Sequence, residues 1–182
     1  MLRAHVFAVV FVSMVLVFDG PESGARTAGP VSAQNMRSSV FGPAQVSAYL
    51  GRLNPALGLP ERERIAAAVV KYSAKYGLES ALVLAIITAE SSARPWVRSS
   101  KGAVGLMQVM PHVREALPVA GNLTSIETNV EAGCLILADN IARLGEDRGI
   151  LAYFWGNDIR GTAYLAHVRT VYAAILREAA AS

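Results

Sequence analysis

The chain has 182 residues, of which 53% are hydrophobic and 17% are charged, and its formal net charge is +3. This length and composition suffice for one core of ordinary size, so we expect a single folded domain. The basic residues are scattered, which disfavours a nucleic-acid-binding protein. The three histidines stand far apart, at positions 5, 112 and 167, and no His/Cys/Asp group has the spacing of metal ligands. We therefore expect no metal site and no cofactor.

The N-terminal segment has the organisation of a secretory signal peptide. Arg3 precedes an almost wholly apolar run at 6–18, and a stretch rich in Gly, Pro and Ser follows, with small-residue cleavage sites after Ala25 and Ala33. The run is shorter than the roughly 20 residues that cross a bilayer, which makes an uncleaved anchor the less favoured alternative. We predict removal of residues 1–33 and export to the periplasm or cell envelope.

Two segments precede the most informative part of the chain. Residues 34–60 are rich in Gly, Pro and Ser, and we interpret them as a spacer with at most one short helix, at about 44–53. From Glu61 onward apolar residues recur at helical spacing, and Gly77 is placed to end that helix.

A second helix is predicted between Glu79 and Glu90, where ten uncharged residues rich in Ala, Leu and Ile indicate a helix buried on most sides. Val83 and Ile87 precede Glu90 by seven and three positions, so all three side chains project from one face. A carboxylate at the rim of an apolar surface resists ionisation. It also lies near the helix C-terminus, where negative charge is unfavourable, so a chemical role explains it better than stability does.

The rest of the chain continues the helical pattern. A short helix at 112–116 precedes a loop, and Thr128 and Glu131 form a capping box that opens a longer helix ending before Gly145. Cys134 lies on the apolar stripe of that helix, and because it is the single cysteine we expect it in the core without an internal disulfide. A last helix is predicted at about 162–178. No strand pattern interrupts these elements, so the predicted fold class is mostly α.

The loop after Glu90 carries the strongest motif. Gly102 and Gly105 permit turns that residues with side chains resist, and apolar anchors surround Gln108. About ten positions at fixed spacing resemble the soluble lytic transglycosylase (SLT) family, relatives of goose-type lysozyme that cleave peptidoglycan. They are Glu90, Ser91, Ser99, Gly102, Ala103, Gly105, Leu106, Met107, Gln108, Met110 and Pro111. The resemblance implies a lysozyme-like single catalytic domain with a substrate groove, over about 61–178.

The resemblance also implies roles for individual residues. Glu90 corresponds to the family's catalytic acid, Ser99 would orient Glu90 or a sugar group, and Gln108 and Met110 would hold N-acetyl and ring groups. Tyr153 matches a tyrosine that lies close to the acid in relatives. Asn129 matches a family position that is mostly structural, and we give it no catalytic role.

Two residues after Tyr153 depart from the family pattern. Relatives commonly have Asn-Ala where this chain has Phe154 and Trp155. For Phe154 we favour the interpretation that it fills core volume, because large aromatic side chains are usually buried. For Trp155 core filling and stacking on sugar both stay open, and we list it among the substrate-binding residues.

Most glycosidases need two carboxylates, whereas here only Glu90 is embedded suitably. The other acids stand in polar or amphipathic surroundings that predict solvated faces; they are Glu115, Glu127, Glu131, Asp139, Glu146, Asp147 and Asp158. In the family the substrate's own C6 hydroxyl acts as nucleophile, and the product ends in 1,6-anhydro-N-acetylmuramic acid. A burial-raised pKa at Glu90 requires that the guanidinium groups of Arg94 and Arg98 point to solvent.

The expected partners are peptidoglycan glycan strands, and we expect a monomer. The presence of one domain without an added wall-binding module favours local opening of the wall for an envelope-spanning secretion complex over general wall turnover. Two alternatives stay open. One is a lysozyme-like hydrolase of the same fold, and the other is a non-catalytic peptidoglycan-binding or assembly factor.

Overall fold

Seven α-helices make up most of the chain that the structure, a computed structural model, describes, residues 41–180. The mostly α fold class is confirmed. The helices are α1 (Pro43–Leu53), α2 (Leu59–Lys75), α3 (Ser80–Ser91), α4 (Pro111–Glu115), α5 (Ile126–Leu144), α6 (Glu146–Trp155) and α7 (Ala163–Ala180). None of these seven has the length and apolar character that a membrane crossing requires. The predicted signal peptide lies outside the described residues.

The segment interpreted as a spacer contains the expected short helix, α1, which packs against α2. Val46 and Leu50 are fully buried, and Phe41 and Leu57 on either side of the helix are buried in the same core. From Phe41 onward the segment therefore contributes side chains to the core. The bounds 61–178 for a catalytic domain stay a prediction.

Helix α2 begins two residues before the predicted start at Glu61. Gly58 is the N-cap, and Pro60 lies in the first turn, where its missing N–H is not needed. The helix ends as predicted, because Gly77 adopts a left-handed φ of +67° directly after the C-cap.

Helix α3 lies at the centre of the core, in contact with α2 and α7. Every residue at positions 81–87 is buried, which accounts for the uncharged sequence of this helix. It ends at Ser92 and Ala93, both of which have left-handed φ angles, 51° and 56°. Asn54 stabilises this turn by donating a 3.1 Å hydrogen bond to the Ala93 carbonyl. Such φ angles are unusual without glycine, so the sharp turn after Glu90 depends on surrounding contacts.

The predicted capping box at the start of α5 is wrong. The N-cap is Ser125, whose hydroxyl accepts a 3.3 Å hydrogen bond from the Thr128 backbone N–H. Thr128 is thus inside the first turn, and Glu131 instead pairs with Lys75 of α2 at 2.5 Å. The helix nevertheless has the predicted apolar stripe, and Cys134 is fully buried in it, as expected.

Helices α6 and α7 complete the core. Gly149 lets α6 approach α5 closely, since a Cβ there would lie 2.7 Å from the Ile141 Cα. Helix α7 buries Val168 and Ile175 and packs against α3 and α6. The last residues of α6 and the first turn of α7 thereby reach the C-terminal end of α3, where Glu90 lies.

Candidate active site

Glu90 is half-buried in the last turn of α3, on the same face as the fully buried Val83 and Ile87. Burial raises the pKa of its carboxyl above the usual value, and a hydrogen bond from Tyr164 offsets part of that increase. The Arg94 guanidinium is turned back onto the helix end, where Nε donates a 2.8 Å hydrogen bond to the Ser91 carbonyl. The carboxyl is therefore biased toward its protonated form while remaining partly open to solvent.

Tyr164, in the first turn of α7, is the direct partner of Glu90. Its hydroxyl donates a 2.5 Å hydrogen bond to Glu90 Oε1. Burial raises the pKa of this phenol far above its usual value, and the nearby charge of Glu90 adds to the increase. The phenol is thus a permanent donor. Tyr164 falls in the last helix predicted from the sequence, but it was not predicted to be a site residue.

Tyr153, on α6, lies near the same carboxyl. Its hydroxyl donates a 2.7 Å hydrogen bond to the Met107 carbonyl in the loop after α3. Burial raises the pKa of Tyr153, and the charge of Glu90 contributes further to that increase. The tyrosine therefore connects α6 to the glycine-rich loop close to the acid, and its contact with substrate stays a prediction.

The loop at 97–110 is held in one shape by its own hydrogen bonds. The Ser99 hydroxyl oxygen accepts a 3.0 Å hydrogen bond from the Ala103 N–H, and Gln108 Nε2 donates to the Gly105 carbonyl at 2.9 Å. Gly102 and Gly105 have left-handed φ angles, as the sequence predicts. Ser99 and the Gln108 amide nitrogen thus have structural partners in the loop, and their proposed contacts with substrate are not tested by these bonds.

Asn129 of α5 fixes the loop to the core. Its buried amide accepts a 2.9 Å hydrogen bond from the Met107 N–H and donates to the Val104 and Leu123 carbonyls at 2.8 and 3.0 Å. A Cβ on Gly105 would lie 2.4 Å from this amide, so only glycine fits there. These contacts are structural, as expected for Asn129 from the sequence.

Comparison with known proteins identifies the family. The model of the "Transglycosylase SLT domain" family matches residues 67–161. The chain belongs to this family. The matched range contains Glu90, the glycine-rich loop, Asn129 and Tyr153, so it includes most of the site, whereas Tyr164 lies just beyond it. The resemblance seen in the sequence is confirmed.

Similar proteins align over part of their length. A protein named transglycosylase from Enterobacteria phage PRD1 is 37% identical over 87 residues, which are 47% of this chain and 32% of that protein. Membrane-bound lytic murein transglycosylase C of Yersinia pestis (strain Pestoides F) is 36% identical over 80 residues, 38% of this chain and 22% of that protein. This chain thus spans a third or less of the relatives it matches.

A solved structure is also similar. An inactive mutant of the lytic transglycosylase Slt from Pseudomonas aeruginosa aligns with 62% of this chain and 23% of its own, at 24% identity and a TM-score of 0.46.

Phe154 and Trp155, where this SLT domain departs from its family pattern, are surface residues at the end of α6. Phe154 is 51% exposed and Trp155 is 37% exposed, so the interpretation of Phe154 as core filling is wrong. The Phe154 ring stacks on Tyr164 with centroids 4.5 Å apart and packs edge to face against Trp155 at 5.1 Å. The stacking contact with Tyr164 accounts for the position of Phe154 at the surface.

Most of the other acids predicted to lie on solvated faces pair with basic side chains. Six of the seven form ion pairs: Glu127 with Arg64, Glu131 with Lys75, Asp139 with Arg143, Asp158 with Arg160, and Glu146 and Asp147 with Arg169. The seventh, Glu115, lines a cavity of about 310 Å³ together with Arg98 and Arg114. Most of these carboxylates are exposed, in agreement with the predicted solvated faces, whereas only 17% of the Glu131 side chain is exposed.

Met110 is the N-cap residue of α4 and is half-buried. It is the last residue of the loop that Asn129 and Tyr153 hold. Its proposed contact with a sugar ring stays a prediction, as does that of Trp155.

Proposed function

We propose that this SLT domain is a peptidoglycan lytic transglycosylase and that Glu90 is its catalytic acid and base. The observation that carries the proposal is the half-buried Glu90 carboxyl, whose pKa is raised by burial and whose Oε1 accepts the Tyr164 hydrogen bond. A carboxylic acid whose pKa is raised keeps its proton to higher pH and can then protonate a leaving oxygen. The names of the phage and Yersinia relatives support the same reaction class.

The proposed substrate is the β-1,4 bond between N-acetylmuramic acid and N-acetylglucosamine in glycan strands. In the first step the Glu90 carboxyl protonates the glycosidic oxygen, and the bond from that oxygen to C1 of N-acetylmuramic acid breaks. In the second step the Glu90 carboxylate takes the proton of the C6 hydroxyl as O6 bonds to C1. The 1,6-anhydro ring closes, Glu90 regains its proton, and no water is consumed.

A single carboxylate suffices because the nucleophile is part of the substrate. A well-placed internal hydroxyl has an effective molarity of about 10⁵ M or more, which offsets the absence of a second carboxylate. The ion pairs of Glu131, Asp139 and Asp158 support this assignment, since each of those carboxylates is engaged by a basic side chain. Tyr164 stabilises the carboxylate that forms between the two steps.

We further propose that Ser99, Gln108, Met110, Tyr153 and Trp155 contact the glycan. The exposed indole of Trp155 offers a flat apolar face to a sugar ring. We place the activity in the periplasm or cell envelope, where the substrate is found, and we propose local wall opening for an envelope-spanning machine as its role. Deletion of the gene tests that role: a defect in secretion without a change in bulk wall turnover is the expected result.

The decisive experiment combines Glu90→Gln with analysis of the products. Glu90→Gln keeps the size of the side chain and removes its transferable proton, so we expect loss of cleavage with the fold retained. Glu146→Gln is the matched control, because Glu146 is an exposed acid paired with Arg169. Mass spectrometry of the wild-type digest should give products lighter than the hydrolysed muropeptides by one water.

Two outcomes favour the alternatives. Reducing muropeptides would indicate a lysozyme-like hydrolase with an additional water-positioning group, and Glu131, Asp139 and Asp158 would be tested first. Intact glycan that still retains the wild-type protein would indicate a binding or assembly factor. The replacement of the family Asn-Ala by Phe154 and Trp155 is the feature that favours this second alternative.

A further inference from the structure

Phe154 occupies an unusual place for a large apolar side chain. It is the penultimate residue of α6, and 51% of its surface is exposed. Its ring is nearly parallel to that of Tyr164, with an interplanar angle of 18° and a centroid separation of 4.5 Å. The ring thus packs against Tyr164 and Trp155 while about half of the side chain faces solvent.

The Tyr164 phenol needs support from its surroundings. Tyr164 is the second residue of α7, and this helix begins directly after the largely exposed segment 156–162. Helix ends are the parts of a helix that open most readily. The first turn of α7 must nevertheless hold the hydroxyl 2.5 Å from Glu90 Oε1. Stacking against one face of the ring restricts rotation about the Tyr164 side-chain bonds.

The geometry points to Phe154 as a positioning residue that acts on Glu90 through Tyr164. Its ring holds the Tyr164 phenol in the orientation that donates to the carboxyl, and Trp155 supports Phe154 from the side in an edge-to-face contact at 5.1 Å. The inference rests on the proposed function in so far as it takes Glu90 as the acid. The contacts themselves do not depend on that proposal.

Two ionisable groups from the packed elements lie close to the Glu90 carboxyl, and of these only Tyr164 hydrogen-bonds to it. They are Tyr164 from α7 and Tyr153 from α6, and both phenols stay neutral because burial raises the pKa of each. Displacement of the Tyr164 hydroxyl removes the donor that lowers the pKa of Glu90, whereas burial by the α3 face remains. Loss of the stacking contact should therefore raise the pKa of Glu90.

The test measures the titration of Glu90 directly, by carbon-detected NMR of labelled carboxyl groups, in five variants of the full chain. Phe154→Leu keeps an apolar side chain at this position but removes the ring stack, Phe154→Tyr keeps the ring, and Tyr164→Phe removes the donor. The double variant Phe154→Leu/Tyr164→Phe measures their coupling. Leu59→Ala is the matched control, since Leu59 is 54% exposed and lies on α2.

We expect Tyr164→Phe and Phe154→Leu each to raise the pKa of Glu90, and the double variant to match Tyr164→Phe alone. Phe154→Tyr and Leu59→Ala should titrate as the wild type does. An unchanged titration in Phe154→Leu, an unchanged titration in Tyr164→Phe, or full additivity in the double variant would each overturn the inference. Because NMR needs no substrate, these outcomes are separate from failure of the proposed activity.

Kinetics on glycan strands provide the second readout. A positioning residue should change kcat more than KM, and we expect Phe154→Leu to lower kcat by roughly two- to tenfold, the factor that the coupling within one aromatic pair supplies. Phe154→Tyr should restore kcat. A rise in KM alone, which Phe154→Tyr does not reverse, would mean that Phe154 contacts substrate and does not act through Tyr164.

Discussion

Tyr164 and Glu90 lie 74 positions apart in the chain, and the Tyr164 hydroxyl donates a hydrogen bond of 2.5 Å to Glu90 Oε1. The two residues occupy opposite kinds of helix end, since Glu90 lies in the last turn of α3 and Tyr164 in the first turn of α7. Burial favours the neutral acid, whereas the hydrogen bond favours the carboxylate. This balance suits a group that must give up a proton and then regain it.

Removal of the Tyr164 hydroxyl should shift the pH profile. Tyr164→Phe removes the interaction that lowers the pKa of Glu90, so the acid should stay protonated to higher pH. We expect the alkaline limb of kcat against pH to move upward, and the maximum of kcat to fall because the intermediate carboxylate loses a donor. The measurement is the rate of glycan cleavage between about pH 4 and pH 9. This range begins near the usual pKa of a carboxyl group and extends well above it.

Tyr49→Phe is the control for that experiment. Tyr49 also contacts α3, where its hydroxyl lies 3.4 Å from the Thr88 hydroxyl, two positions before Glu90. Removal of its hydroxyl should leave the alkaline limb in place. Equal shifts in Tyr49→Phe and Tyr164→Phe would contradict a specific effect of the Glu90 partner.

Glu90 should also make the free energy of unfolding depend on pH. Because its pKa is higher in the folded chain than in the unfolded chain, its stabilising contribution is complete below the unfolded value of about 4.5 and is lost as pH rises through the folded pKa. Glu90→Gln carries no such group. We expect the melting temperature of Glu90→Gln to approach that of the wild type at low pH and to exceed it increasingly as pH rises.

Glu127 provides a control of opposite sign. The hydrogen bond with Arg64 lowers the pKa of the Glu127 carboxyl, so its contribution is present above the unfolded value and is lost as pH falls through the folded value. Glu127→Gln should therefore lower the melting temperature at neutral pH, and only slightly, because the pair is exposed. If the melting temperatures of both variants changed with pH in the same direction relative to the wild type, the effect of Glu90→Gln would not be due to the burial of Glu90.

Substitution of Asn129 should lower the free energy of unfolding strongly. Asn129→Ala leaves the buried Met107 N–H and the Leu123 carbonyl without this partner, and the Val104 carbonyl keeps only the hydrogen bond from the Val109 N–H. We expect the domain to be destabilised by roughly 2–5 kcal/mol. Urea unfolding measures the change. The control Asn122→Ala removes an exposed side chain that accepts one hydrogen bond, from the Thr124 N–H, and should cost less than about 1 kcal/mol. Comparable losses of unfolding free energy in the two variants would contradict the role of Asn129 in holding the loop to the core.

The helices and the loop were predictable because their signals are local. Apolar periodicity indicated α2 and α3, the uncharged run before Glu90 indicated burial, and Gly102 and Gly105 indicated the turns. The cap of α5 was harder to place, because Ser125 and Thr128 are both good N-cap residues three positions apart. Only the packed structure decides between them.

The sequence alone did not predict that Tyr164 contacts Glu90 or that Phe154 stacks on Tyr164. Nothing local to Tyr164 marks it as the donor to a residue 74 positions away, and its place on an apolar face resembles that of any core tyrosine. The predicted burial of Phe154 was wrong because it rested on the general tendency of aromatic residues to be buried. That tendency takes no account of a specific neighbour, here the Tyr164 ring. Tertiary pairs of this kind depend on the approach of α6 and α7 to the end of α3.

The final prediction concerns Trp155, which we expect to contribute to glycan binding and little to stability. Its indole is 37% exposed beside Phe154, so Trp155→Ala should weaken retention on purified peptidoglycan by roughly two- to tenfold, corresponding to about 0.5–1.5 kcal/mol, and change the melting temperature little. Binding is best measured with Glu90→Gln in both proteins, because the wall then stays intact. Leu176→Ala is the matched control, since Leu176 is also 37% exposed but lies near the end of α7. A large fall in melting temperature with unchanged retention would assign Trp155 to packing instead.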